Sequence, residues 1–131
     1  MQILLASIIA AAWLFFSGAV VFALALPRWF QFNFGHLARD PKESPRMVAI
    51  VLEKLLQGFG LALLVIWSQK AICYLAIIPL LLVSCTYLFS TYATFRVKSR
   101  PVIAIAVIDA VRLIIALLFV GLILGREIVP L

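Results

Sequence analysis

PVIAIAVIDAVRLIIALLFVGLILG, residues 101–125, is the stretch whose reading decides the fold. It is long and apolar enough to cross the roughly 30 Å hydrocarbon core of a bilayer as a helix with some tilt. Asp109 and Arg112 stand three residues apart in it and so share one helical face. Charged groups at that depth are costly in lipid and face a bundle interior, paired with each other or lining a cavity. Ala106 and Ala116 lie on or beside the same face, small residues that let a neighbouring helix come close. The stripe Ala106, Asp109, Arg112, Ala116 is therefore expected to face protein.

Outside this stretch the pattern repeats. The chain has 131 residues, of which 66% are hydrophobic and 12% charged, and its mean hydropathy is +1.23. A soluble domain is nearer about half apolar and about a quarter charged. The apolar excess falls into four runs, near residues 3–26, 47–67, 71–92 and 101–125, separated by polar breaks. The expected fold is all-α: one polytopic integral membrane domain, a four-helix bundle with antiparallel up-down connectivity and short turns. The first run has no Lys or Arg before it and too long an apolar core for a secretory signal, so it is expected to be kept as a span.

A net charge of +6 would point to nucleic acid in a soluble protein. Here the cations flank spans, and no nucleic-acid partner is expected. Residues 27–46 carry Arg28, Arg39, Lys42 and Arg46, and the break before residue 101 carries Arg96, Lys98 and Arg100, whereas the opposite side has Lys70 and Arg126. By the positive-inside rule the first and third loops are cytoplasmic and both termini lie on the other side, as in a bacterial inner membrane.

The first loop opens with PRWFQFNF, in which Arg28 stands among Trp29, Phe30, Phe32 and Phe34. Aromatics beside a cation just outside a span are the usual interfacial anchor, and contact with lipid or quinone is the second use of such a cluster. The one histidine, His36, lies in this loop. Within the first span Ser7, Ala11 and Gly18 form a small-residue packing seam, and Ser17 is read as bonded to its own backbone. In the second span Glu53 and Gln57 share a face, with Gly60 close to it. Lys54 points aside and is expected to snorkel to the headgroups, while the shorter Glu53 turns inward.

The third span follows a short connection, so it forms an antiparallel hairpin with the second. Pro79 is expected to kink it by leaving a carbonyl one turn earlier without its donor. Ser84, Tyr87, Thr91 and Thr94 share one face of it. Cys73 and Cys85 lie roughly 18 Å apart on one helix, too far to bridge, and are expected to be buried packing residues.

Comparing depth at about 1.5 Å per residue puts Glu53 and Tyr87 roughly 8 to 9 Å from the cytoplasmic ends, Asp109 and Ser84 about 12 Å, and Gln57 and Arg112 about 15 to 17 Å. Glu53, Gln57, Ser84, Tyr87, Thr91, Asp109 and Arg112 thus form one polar layer between the second, third and fourth spans. Such a layer either fixes helix register or serves as a proton, cation or polar-ligand site.

No span contains a histidine, and no phosphate loop, zinc spacing or nucleophile elbow is present. No catalytic residue, metal site or cofactor is assigned, and the sequence leans against an enzyme. The first span with its PRWF and the acid early in the second span resemble a diffuse group of small four-helix membrane proteins, which includes anthrone-oxygenase-like and copper-resistance-D-like domains. About half the chain takes part, histidines found in some of that group are missing, and no residue role follows. Two functions remain. One is a non-catalytic membrane subunit or assembly factor, packing in the lipid bilayer against other membrane proteins or itself. The alternative is a small homo-oligomeric transporter or channel using the Glu/Asp/Arg layer.

Overall fold

The structure, a computed structural model, describes residues 1–35, 47–87, 92 and 98–129. Every described element is helical. Helix α1, Gln2–Ala19, continues as a π-helical stretch, Val20–Ala25. The chain bends at Leu26 and Pro27 opens α2, Pro27–Phe34. Proline is favoured at a first helical position because its fixed φ suits the helix and its missing N–H has no partner there anyway. Residues 27–34, expected as loop, are therefore a helix. Helix α3 spans Met47–Ser68. After it come the short α4, Ile72–Leu75, and α5, Ile77–Ser84, and last α6, Ser99–Ile123.

Three helical stretches are long and apolar enough to cross a membrane: Gln2–Ala25, Met47–Ser68 and Ser99–Ile123, with mean hydropathies of 2.3, 1.9 and 2.7. The expected third span differs. Its described apolar part, Ile72–Tyr87, is shorter and is interrupted at Ala76. Pro79 accounts for the break, since it has no N–H to offer the Leu75 carbonyl. Within the described residues the chain is all-helical, with three long helices, the short α2 and one short broken helix.

Helix α1 is the hub, packing most extensively against α3 and next against α6. Sequence depth alone had grouped the last three spans. The reason for the difference is the alanine-rich face of α1: Ala6 and Ala10 are fully buried, facing a core with Ala62 and Val65 from α3 and Ala116, Leu117 and Val120 from α6. Small side chains let the backbones close up. A Cβ on Gly58 would run into the backbone carbonyl of Ser7 and lie 3.3 Å from the Ala11 Cβ. Ser7 and Ala11 thus form the α1–α3 contact. Ser7 also donates its hydroxyl to the Ile3 carbonyl at 2.8 Å.

Contacts run in opposite directions along α1 and its two neighbours. On α6, the Trp13 ring meets Phe119 with centroids 5.5 Å apart, while further along α1 Ser17 meets Arg112. On α3, Ser7 meets Gly58, and Phe15 lies in a groove with Val51. Helices α3 and α6 are therefore parallel to each other, and the chain between Ser68 and Ser99 must return across the molecule. Helix α4 meets both α3 and α6 after the turn at Gln69, where φ is 52°. Beyond it α5 packs on α6, and a cleft separates α5 from α3.

Helix α6 ends in a Schellman motif. Gly125 has a φ of 68°, and its N–H bonds the Leu122 carbonyl while that of Arg126 bonds the Gly121 carbonyl. The tail then supplies the carbonyls of Glu127 and Ile128 to the N–H groups of Ile72 and Cys73, each at 2.9 Å. Those donors open α4, where no intrahelical acceptor exists. Cys73 and Cys85, expected to be buried, are both exposed, because among the described residues no helix covers the outer faces of α4 and of the α5 segment there.

Candidate functional site

The site is the cleft of about 470 Å³ between α3 and α5, with α6 and Leu14 of α1 behind it. Its size and its apolar lining with a few convergent polar groups are those of a ligand pocket. Asp109 and Arg112 form its rear wall, and their surroundings decide what they can do.

Arg112 is buried, with 7% of its surface exposed. Its Nη1 donates to Asp109 Oδ1 at 2.5 Å. Its Nε donates to the Ser17 hydroxyl at 2.9 Å, and its Nη2 donates to the Leu14 carbonyl. The Phe22 ring covers the guanidinium, 5.7 Å from centroid to Cζ, a favourable place for a cation. The second oxygen of Asp109 accepts from the Tyr87 hydroxyl. Each guanidinium nitrogen thus has an acceptor and each carboxylate oxygen has a donor. Three chain segments, α1, α6 and the end of the α5 segment, are joined at this point.

Two local features open the way for that arrangement. Gly18 lies against the guanidinium, where a Cβ would stand 2.6 Å from Nη2. Phe22 and Tyr87 both belong to π-helical stretches, Val20–Ala25 and residues 85–87. Such widened turns shift the side chains that follow and are frequent at functional sites. The seam read from Ser7, Ala11 and Gly18 therefore has two uses: the first two residues admit α3, and Gly18 admits Arg112. On α6, Ala106 packs with Val83 and Ala110, and Ala116 sits in the α1 core.

The second polar group lies on α3. Lys54 Nζ donates to Glu53 Oε1 at 2.8 Å and to Gln57 Oε1 at 3.2 Å, and Gln57 Nε2 donates to the same Glu53 oxygen at 3.1 Å. Side-chain exposure is 19% for Lys54 and 54% for Glu53. The expectation that Glu53 turns inward while Lys54 reaches outward is thus reversed. Lys54 also lines the groove between α1 and α3 with Ala11 and Phe15, and its amine turns to Glu53.

Of the expected polar layer, Glu53, Gln57, Tyr87, Asp109 and Arg112 line one cleft. Ser84 does not join them, since its hydroxyl donates to the Leu80 carbonyl at 2.8 Å. Thr91 lies outside the described residues, as does His36. Ser17 does bond its own backbone, at 3.4 Å to Leu14 O, and also accepts from Arg112. The PRWF cluster is turned further inward than an interfacial anchor: Phe34 is buried against Val102 and Ile105, with Trp29 and Phe30 packed beside it. Arg28 and Phe32 remain exposed. The cause is the helical turn of α2, which gathers Trp29, Phe30 and Phe34 on one side.

Trp13 and Phe22 were missed by sequence reasoning. Trp13 Nε1 donates to the backbone carbonyl of Arg112 at 3.0 Å. A tryptophan far from either interface was the available signal, because its N–H needs an internal partner there. Among the described residues, no group of three His, Cys, Asp or Glu side chains gathers to hold a metal ion. Comparison with protein-family models, with curated proteins and with solved structures returned no match.

Proposed function

We propose that this chain is a non-catalytic multi-pass membrane protein, a small subunit or assembly factor that packs against other membrane proteins. In this reading it crosses an inner (plasma) membrane four times, Ile72–Tyr87 belongs to the third crossing, and both termini face away from the cytoplasm. The observation that carries the reading is the internal pairing of Asp109 and Arg112, in which every guanidinium nitrogen has an acceptor and both carboxylate oxygens have donors. A conducting or exchanging group must release its partners in each cycle, whereas a pair bonded from three segments holds those segments in register. Outward surface supports it as well: only 17% of the most apolar stretch is buried in Gln2–Ala25 and in α3, against 39% in α6. Two of the three long helices thus present apolar faces to lipid or to partner helices.

The half-exposed Glu53 favours a second reading, a homo-oligomeric proton or cation transporter. Flux measured in proteoliposomes, with co-purifying membrane proteins quantified from the same source, separates the two. The expected result is no proton or cation flux from folded wild type, together with a second membrane protein in fixed ratio. Flux that Glu53→Gln abolishes, with the fold intact, would replace the subunit reading by the transporter.

A further inference from the structure

The cleft between α3 and α5 changes character along its length. At one end Glu53, Lys54 and Gln57 share it with Tyr87, and at the other Leu64 shares it with Ile78 and Pro79. From Glu53 to Leu64 is about 16 Å along the helix. A polar head and an apolar body of matching length are what such a cleft accommodates.

Two further observations narrow the occupant. The formal charges of the four acidic and basic side chains that line the cleft, Glu53, Lys54, Asp109 and Arg112, sum to zero. A charged ligand would bring an unpaired charge into a low-dielectric setting, while a neutral one brings none. The nitrogens of Arg112 and the amine of Lys54 already have acceptors, and both Asp109 oxygens have donors. Among the described residues, both bonds to Glu53 fall on Oε1. A carboxylate accepts on two oxygens, so among the described residues Oε2 is the carboxylate oxygen lining the cleft that has no donor, and a ligand hydroxyl can meet it. Along the cleft wall, a Cβ on Gly60 would meet nothing within 4 Å, which leaves the path of the apolar body open.

We propose that this cleft binds a neutral amphiphile, an apolar chain ending in a hydroxyl, with the hydroxyl donating to Glu53 and the chain lying past Gly60 toward Leu64. Such a molecule enters sideways between α3 and α5. The site does not depend on whether a partner protein is also bound.

The test uses the full chain in nanodiscs of phosphatidylcholine, a lipid whose headgroup has no donor, with radiolabelled monolauroylglycerol as probe. Binding above that of empty nanodiscs is expected to be saturable. Methyl laurate, which keeps the chain and lacks the donor, should compete about ten-fold more weakly, as should the probe against Glu53→Gln. Laurate and dodecyltrimethylammonium should be poorer still. Gly60→Phe should abolish binding by filling the cleft, while Leu56→Phe, on a side chain 70% exposed and outside the cleft, should leave it unchanged. If Gly60→Phe fails to assemble, Leu82→Trp fills the cleft from the opposite wall, where Leu82 is 62% exposed. Equal competition by unlabelled monolauroylglycerol and the three other compounds, or wild-type binding by folded cleft-filled variants, would overturn the proposal. So would release of a co-purifying membrane protein by those variants without any saturable probe binding, because the cleft would then seat a helix.

Discussion

Arg112 ties α6 to α1 through two bonds of its side chain. A guanidinium presents a rigid fork of donors, and here its nitrogens take acceptors from Asp109, Ser17 and the Leu14 backbone. The Asp109–Arg112 pairing was legible in the sequence, because three-residue spacing on an apolar helix leaves the two few alternatives. Its remaining partners were not. A backbone carbonyl has no signature in sequence, and Gly18 was visible as a small residue without any indication that it makes room for a guanidinium. Removing one member of a buried pair leaves the other uncompensated and costs about 3–5 kcal/mol, more than removing both. Asp109→Asn and Arg112→Leu are each expected to lower thermal stability in nanodiscs, and the double variant to recover part of the loss. Strictly additive losses would show that the two side chains are not energetically coupled.

At the scale of elements, helix positions followed from apolar run length and their packing did not. Three of the four expected spans correspond to long helices. The third broke at Ala76 as Pro79 implied, and residues 27–34 became helical because the aromatic residues there find Val102 and Ile105 to pack on. Which helices touch depends on where backbones can approach, and two glycines on α3 play opposite parts in this. Gly58 marks the closest approach of α1, whereas Gly60 stands in open space. Alanine is the better helix former by about 1 kcal/mol, so Gly60→Ala should stabilise by that order. Gly58→Ala should destabilise by about 1–3 kcal/mol instead, since the added methyl overpacks the α1 contact. Thermal unfolding of the two variants checks this, and equal shifts of the same sign would mean that α1 and α3 do not meet at Gly58.

For the whole molecule, the directions of the helices carry the account. Helix α1 runs opposite to both α3 and α6, so the chain from Ser68 to Ser99 has to return to the side where α6 begins. The return contains Ile72–Tyr87, about 24 Å of helix at 1.5 Å per residue against a core of roughly 30 Å. Three long helices with no further crossing would put the termini on opposite sides, and four crossings put them on the same side. Single cysteines placed at Glu43, Ser99 and Glu127, in a chain with Cys73 and Cys85 replaced by serine, decide between these with an impermeant thiol reagent applied from outside intact cells. The predicted result is labelling at position 127 and at a cysteine added before Met1, with none at positions 43 and 99 until the membrane is opened. Labelling of one terminus without the other, or of position 99 from outside, would contradict the four-crossing arrangement.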